Sequence, residues 1–295
     1  MIKCSIGICV YNEEKNIGRL LKSLLKQKLV SVEICEILLI ASGSTDKTCE
    51  IVEYYKKRDK RIKLLKQKKR EGKASAVNVF IEESRNEVLV LSSGDLIIRN
   101  DVIEKLVNKF TDTEVGMTGA HPVPVNKIRD GFCGFAGHML WDLHHRVSLQ
   151  SPKMGELIAF RKVFKRIPIY IGADEASIEP LILGQGYIIK YVPNAKIFNK
   201  TPTTLSELVK QRRRNFWLHL AVKHKQHYIV STLNQFLVFR AILSFLKDNP
   251  KPSYFLLTLL VIMLEVYSRF LGWWDYTIVK KKHYTWEIIE STKNP

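Results

Sequence analysis

Between residues 4 and 93 the chain alternates, without a break, between short apolar runs and segments whose apolar residues recur at helical spacing. CSIGICVY at residues 4–11 is followed by EKNIGRLLKSLLKQ, where Ile17, Leu20, Leu21, Leu24 and Leu25 fall three or four positions apart. The runs EICEILLIA, RIKLLKQ and EVLVLSS come next, separated by DKTCEIVEYYKKR and KASAVNVFIEESR. An apolar run with little alternation suits a strand covered on both faces. Strand and helix in repeated order, with short connections, predict a mostly parallel sheet wound with helices on both sides.

In such sheets ligands sit beyond the carboxyl ends of the strands. Those ends carry Tyr11-Asn12-Glu13-Glu14, Ser42-Gly43-Ser44-Thr45-Asp46 and Ser93-Gly94-Asp95, with Arg70-Glu71-Gly72-Lys73 opening the third helix. Polar, small and charged residues therefore converge on one edge, as a site requires. Asp95 is the sharpest of them: a carboxylate at the end of a buried strand is costly without a partner or a ligand.

The middle of the chain is less regular. VGMTGAHPVPV reads as a strand closing in prolines, GFCGFAGHMLWDLHHRVSL as a glycine-rich then aromatic helix, and ELIAFRK as a short strand. Asp174 and Glu175 open a short apolar segment, and Thr204 with Glu207 has the spacing of a capping box, so a helix starts there. Residues 254–276, YFLLTLLVIMLEVYSRFLGWWDY, approach the length of a bilayer span but contain Glu265 and Arg269. Trp273, Trp274 and Tyr276, followed by VKKKHY, have the character of an interfacial belt backed by positive charge. Three placements are open for this segment: across a membrane, along its interface, or packed on the protein. A glutamate at mid-span is expensive, which favours membrane contact. The division expected is residues 1–225 for the catalytic part and 226–295 for a helical C-terminal segment, with a candidate membrane helix near 254–274.

The formal net charge of +18 calls for an anionic partner such as nucleic acid, anionic lipid or a phosphorylated substrate. Residues 56–73 and 210–217 hold much of it, and a solvated basic face is the plain reading of the first cluster. No recognition motif supports nucleic acid, so none is expected as a partner. Five cysteines without C-x-x-C or zinc spacing indicate core residues in a reducing compartment. MIKCSIGICVYNEE lacks the apolar stretch of a signal peptide, so the catalytic part is expected in the cytoplasm.

Six segments, CVYNEEKNIGRLLKSL, ASGSTDKT, REGKASAVN, the strand ending in Asp95, ADE and QRRRNFW, follow one another in an order and spacing that resembles family 2 glycosyltransferases, over roughly residues 3–225. The resemblance implies the type A nucleotide-sugar-binding fold, a Rossmann-like mostly parallel sheet flanked by helices. It also implies inverting transfer of a sugar from a nucleoside diphosphate sugar, with UDP favoured, to a hydroxyl of a glycan or lipid-linked acceptor. The place would be the cytoplasmic face of the cell membrane, with an anionic membrane as partner.

On this resemblance Val10, Tyr11 and Glu13 form the first nucleotide-contacting turn, and Ser42 takes base contacts where the family more often has acids. Lys73 serves the diphosphate, with Asn78 matching a later asparagine of the same motif. Ser93, Gly94 and Asp95 stand where the family usually has Asp-x-Asp. Only the last acid is kept, so Asp95 is the implied ligand of Mg²⁺ or Mn²⁺ and Ser93 takes over the ribose contact. A hard cation whose shell is completed by phosphate oxygens and water can be held by one carboxylate. Asp174 and Glu175 stand at the family's acid pair, either of them the base that takes the acceptor's proton. Gln211, Arg213, Arg214 and Trp217 match the family's Gln-x-x-Arg-Trp toward diphosphate and acceptor, with Asn215 where the tryptophan is usual. Trp141, His144 and His145 could line an acceptor pocket, though packing is their ordinary use. A second reading of the same residues is a sugar-nucleotide or partner-binding module that has lost the first acid of the metal motif. Retention of Asp95, the acid pair and the arginines favours the enzyme.

Overall fold

A computed structural model describes the chain except residues 173–174, 282, 284–288 and 294–295. It forms two compact units, the first taking Met1–His121 and Met154–Phe198, the second Pro122–Lys153, Asn199–His283 and the chain's end. The boundary expected near residue 225 falls at the end of a long helix of the second unit.

The first unit begins β1 (Ile2–Val10), α1 (Ile17–Leu25), β2 (Val32–Ser42), α2 (Thr48–Lys56), β3 (Ile62–Gln67), α3 (Lys73–Glu83) and β4 (Val88–Ser93). Then come β5 (Ile97–Ile98), α4 (Val102–Val107) and β6 (Val115–Pro124). After the second unit's α5 (Gly131–Gln150) the chain returns with β7 (Leu157–Arg161), α6 (Glu175–Leu183) and β8 (Ile188–Asn199). The eight-stranded sheet runs β3-β2-β1-β4-β7-β6-β8-β5. β1 to β4 are parallel to one another, with β2, β3 and β4 each reached through a crossover helix. β7 pairs antiparallel with both β4 and β6, and β5 with β8, so the sheet is mixed beyond β4.

The uninterrupted apolar strands feed two cores in turn. Ile6, Ile8, Ile37, Leu39 and Val90 pack on one face with residues of α1, α2 and α4. Their neighbours Leu38, Ile40, Leu89 and Leu91 pack on the other with Val77, Phe80 and Ile81 of α3 and Ile178 and Ile182 of α6. Successive strand side chains point to opposite faces, so burial on both sides leaves little room for polar residues. Gly7 is where β1 makes space: a side chain there would begin 2.4 Å from the Phe80 ring. One buried acid interrupts the pattern. Glu36, only 3% exposed, accepts hydrogen bonds from Ser5 Oγ at 2.8 Å, Lys63 Nζ at 2.7 Å and the Arg85 amide at 2.8 Å.

The second unit is helical: α5, α7 (Leu205–Gln226), α8 (Gln235–Asp248) and α9 (Pro252–Trp274). The expected cap at the start of α7 is present, the Thr204 hydroxyl accepting from the Glu207 amide at 3.3 Å. α7 and α9 pack along each other. The inner stripe of α9 is Thr258, Val261, Leu264, Ser268 and Gly272, all buried. Its outer face carries Phe255, Leu256, Leu259, Met263, Val266 and Phe270, each about half exposed or more. Glu265 pairs with Arg212 of α7 and with Arg269. The mid-helix charge that the sequence made costly is thus neutralised on the protein side.

Candidate functional site

The site grows from the carboxyl edge of β1, β2 and β4. Leaving β1, the chain turns through Asn12, whose φ of 53° is one that asparagine tolerates better than most residues. Its Oδ1 accepts from the Thr45 amide at 2.9 Å, and Thr48 Oγ1 accepts from the Glu13 amide at 2.7 Å. The loops after β1 and β2 are therefore stitched into one rim. Ser42 extends the rim, its hydroxyl accepting from the Glu71 amide at 3.2 Å, and the Arg70 guanidinium lies 4.0 Å from the centre of the Tyr11 ring. That cation–π contact offers a flat aromatic surface backed by positive charge beside the Ser42 hydroxyl.

At the end of β4, Gly94 brings the chain close to the first turn: a side chain there would start 3.0 Å from Val10 and 3.1 Å from Glu13. Val10 and Glu13 are themselves buried, and Glu13 accepts from Asn16 Nδ2 at 3.0 Å. Asp95 follows, half-buried. Burial raises its pKa above the ordinary carboxylate range, while the positive charges of Lys73 and Arg19 oppose the rise. Lys73, first residue of α3, reaches Glu175, first residue of α6, with Nζ 3.6 Å from Oε1.

The first unit thus gathers Val10, Tyr11, Glu13, Ser42, Lys73, Ser93, Gly94, Asp95 and Glu175 along one rim. Asp174 lies outside the described residues. Asn78 does a structural job, bonding through both amide atoms to the backbone of Ile167 at 2.7 and 2.9 Å.

Glu156 and Arg19 complete the cluster, and the strand-end motifs did not single them out. Glu156 immediately precedes β7, and its carbonyl accepts from the Ser93 amide at 3.1 Å. Burial, then the negative charges of Asp95 and Glu175, push its carboxyl up to about 7, against Lys73 and a hydrogen bond from Ser93. The only signal available was an acid at the mouth of an apolar strand, the same signal that marked Asp95.

Gln211, Arg213, Arg214 and Trp217 lie on α7 in the second unit. Arg213 donates to Asp275, which is buried and also bonded at 2.8 Å by His283 Nε2. Trp217 is 6% exposed, edge-on to Tyr276 and His283. His144 is buried and meets Trp141 edge-to-face, as packing residues do.

A hard divalent cation fits the first-unit rim by donor chemistry: Asp95 supplies a carboxylate oxygen, and a diphosphate would supply others. Among the described residues no three acidic, histidine or cysteine side chains form a closed cage. Such a cation would therefore be held jointly by protein and substrate.

Residues 5–134 match the model of glycosyl transferase family 2. An uncharacterized glycosyltransferase of Haemophilus influenzae is 33% identical over 39% of this chain and 44% of its own. The poly-beta-1,6-N-acetyl-D-glucosamine synthase of Staphylococcus aureus is 26% identical over 70% of this chain and 52% of its own. The matched parts span about half or less of these curated relatives. Among solved structures, the mannosyltransferase PcManGT of Pyrobaculum calidifontis, in complex with GDP-Man and Mn²⁺, shares the fold with a TM-score of 0.63 at 18% identity, over 92% of this chain and 87% of its own.

Proposed function

From the match of residues 5–134 to glycosyl transferase family 2, we propose that this chain is an inverting, metal-dependent glycosyltransferase. It moves a sugar from a nucleoside diphosphate sugar to a hydroxyl of a glycan or lipid-linked acceptor at the cytoplasmic membrane face, residues 1–225 forming its catalytic part. The observation that carries the reading is Asp95, half-buried at the end of β4 in the field of Lys73, with Glu175 held at 3.6 Å from that lysine.

In this reading the base and ribose lie along the rim of Tyr11, Glu13, Ser42 and Ser93, and UDP is the first nucleotide to test. Asp95 would hold Mn²⁺ or Mg²⁺, which when bound stabilises the charge growing on the leaving diphosphate. Lys73 adds a point charge at the same phosphates. Glu175 takes the proton of the attacking hydroxyl, with Asp174 the alternative base. The Lys73–Glu175 pair couples the two roles, since a diphosphate arriving at Lys73 competes for that charge and frees the carboxylate. Gln211, Arg213, Arg214 and Trp217 of α7 keep the diphosphate and acceptor role that the family resemblance implies, with Arg213 bonded to Asp275.

The finer placement is along the interface of an anionic membrane. The bare outer face of α9 supports it, as do the exposed Phe236, Phe239 and Leu243 on α8. α9 is long and apolar enough to cross a bilayer. Its inner stripe is covered by α7, which carries Arg212, Arg213 and Arg214 and would have to enter the hydrocarbon with it, so a helix lying in the interface is the less costly arrangement.

The test is thermal unfolding with UDP, GDP and nucleotide sugars, with Mn²⁺ or chelator, for wild type and Asp95→Asn. A ligand at a hundred times its Kd stabilises by about 2.7 kcal/mol. A metal-dependent upward shift that Asp95→Asn abolishes supports the donor site, and the absence of a shift with every nucleotide overturns it. Binding without release of free sugar or transfer would mark the binding-module reading instead.

A further inference from the structure

We infer that Glu156 hydrogen-bonds a hydroxyl group of the transferred sugar and so selects the donor. The inference rests on the donor-site reading above and names a residue that the reading leaves without a task.

Placement comes first. β7 lies on the far side of β4 from β1, β2 and β3. Leu157 stands opposite Ser92, and the Ser93 amide donates to the Glu156 carbonyl at 3.1 Å. Glu156 therefore meets the carboxyl edge of β4 from the side away from the loops at Tyr11 and Ser42 that would take the nucleoside. Its carboxylate interacts with Asp95 and Glu175 together, and with the Lys73 that binds Glu175. If the diphosphate sits at Asp95 and the attacking hydroxyl at Glu175, the anomeric carbon lies between them. A carboxylate hydrogen-bonded by Ser93 and felt by both acids stands beside the sugar ring.

Chemistry and backbone agree with that position. Once ionised, the Glu156 carboxylate only accepts hydrogen bonds, and a sugar ring presents hydroxyl donors. Glu156 is half-buried, so a ligand in the cleft can reach it. Its φ of 63° lies in the left-handed region, which is costly for a residue with a side chain. Replacement by glycine would relieve that cost, yet an acid occupies the position. The rival use, a second carboxylate on the cation, predicts a different pattern of loss.

The experiment measures Mn²⁺-dependent binding of UDP and GDP, and of UDP-glucose, UDP-N-acetylglucosamine and GDP-mannose, by calorimetry on the full chain. Wild type, Glu156→Gln and Glu156→Asp are compared. A hydrogen bond to a charged group contributes roughly 1.5–3 kcal/mol, so at about pH 8, where the Glu156 carboxyl is ionised, Glu156→Gln should weaken the preferred nucleotide sugar by roughly tenfold to a hundredfold. The bare nucleoside diphosphate with Mn²⁺ should keep its affinity, and Glu156→Asp should lose sugar affinity while keeping the charge. Equal loss for the bare nucleotide overturns the inference in favour of the cation. Unchanged binding of every ligand overturns it outright. A wild type that binds no nucleotide overturns the donor site itself, and a Glu156→Gln chain that fails to fold leaves Glu156→Asp to decide.

Discussion

Glu36 shows how this fold accommodates a charge in its interior. Burial alone would raise its carboxyl pKa, but Lys63, the Arg85 amide and the Ser5 hydroxyl outweigh burial and hold it below the ordinary value. A folded-state pKa below the unfolded one means that stability is present above the ordinary carboxylate range and is lost as pH falls through the depressed value. Glu36→Ala should cost roughly 2 kcal/mol at neutral pH, because it leaves the Ser5 hydroxyl and the Arg85 amide short of a partner. Urea midpoints of wild type and Glu36→Ala should draw closer as pH falls below the ordinary carboxylate range, and a difference that persists undiminished in acid refutes the account. Single residues were also where the sequence was hardest to read. Asp95 stood out because its strand was otherwise apolar. Glu156 begins an equally apolar strand, but its importance comes from facing Ser93 across a β-ladder of high sequence separation, which no local pattern encodes.

Among the elements, β1 to β4 and α1 to α3 were legible because their periodicity is local and uncontested. The antiparallel pairing of β7 with β4 and β6 was not, since short apolar runs carry no direction. α6 was legible only as an apolar segment; the burial of its Ile178 and Ile182 in the cluster of Leu89 and Phe160 comes from packing on the sheet rather than from an amphipathic repeat. For α9 the length and hydropathy were plain, while the side facing the protein became clear only with Glu265 paired to α7. If its outer face meets lipid, Phe255→Glu combined with Val266→Glu should abolish co-flotation with anionic vesicles. Both side chains are exposed, 64% and 63%, so the unfolding temperature should move little. Retained flotation, or a wild type whose face is covered by self-association in size-exclusion chromatography with light scattering, refutes the lipid assignment.

Over the whole molecule the charge of +18 becomes a statement about association. Each lysine or arginine near an anionic leaflet contributes about 1 kcal/mol, and the attraction fades beyond a Debye length. Wild-type binding to vesicles containing anionic lipid should therefore weaken markedly between 0.05 and 0.5 M salt, on the order of the screening expected for several charges. Binding to zwitterionic vesicles should be weaker and nearly independent of salt. Equal binding to both refutes an electrostatic share. The division of the chain was the part of the architecture least legible beforehand: the sheet unit is interrupted by α5 and resumed at Met154, and a segment that leaves and returns has no compositional mark at either junction.

A strand with apolar side chains on both faces has little to tell its two sides apart, because sliding by one position exchanges one greasy surface for another. Gly7 removes that ambiguity for β1, since the Phe80 ring can enter only where the strand has no side chain. The pair works as a key and its notch, and its effect would be seen in time rather than in equilibrium alone. A chain carrying Gly7→Ala should linger on refolding among slipped pairings, with slow phases absent from the parent, even under solvent conditions where both finally reach the native state.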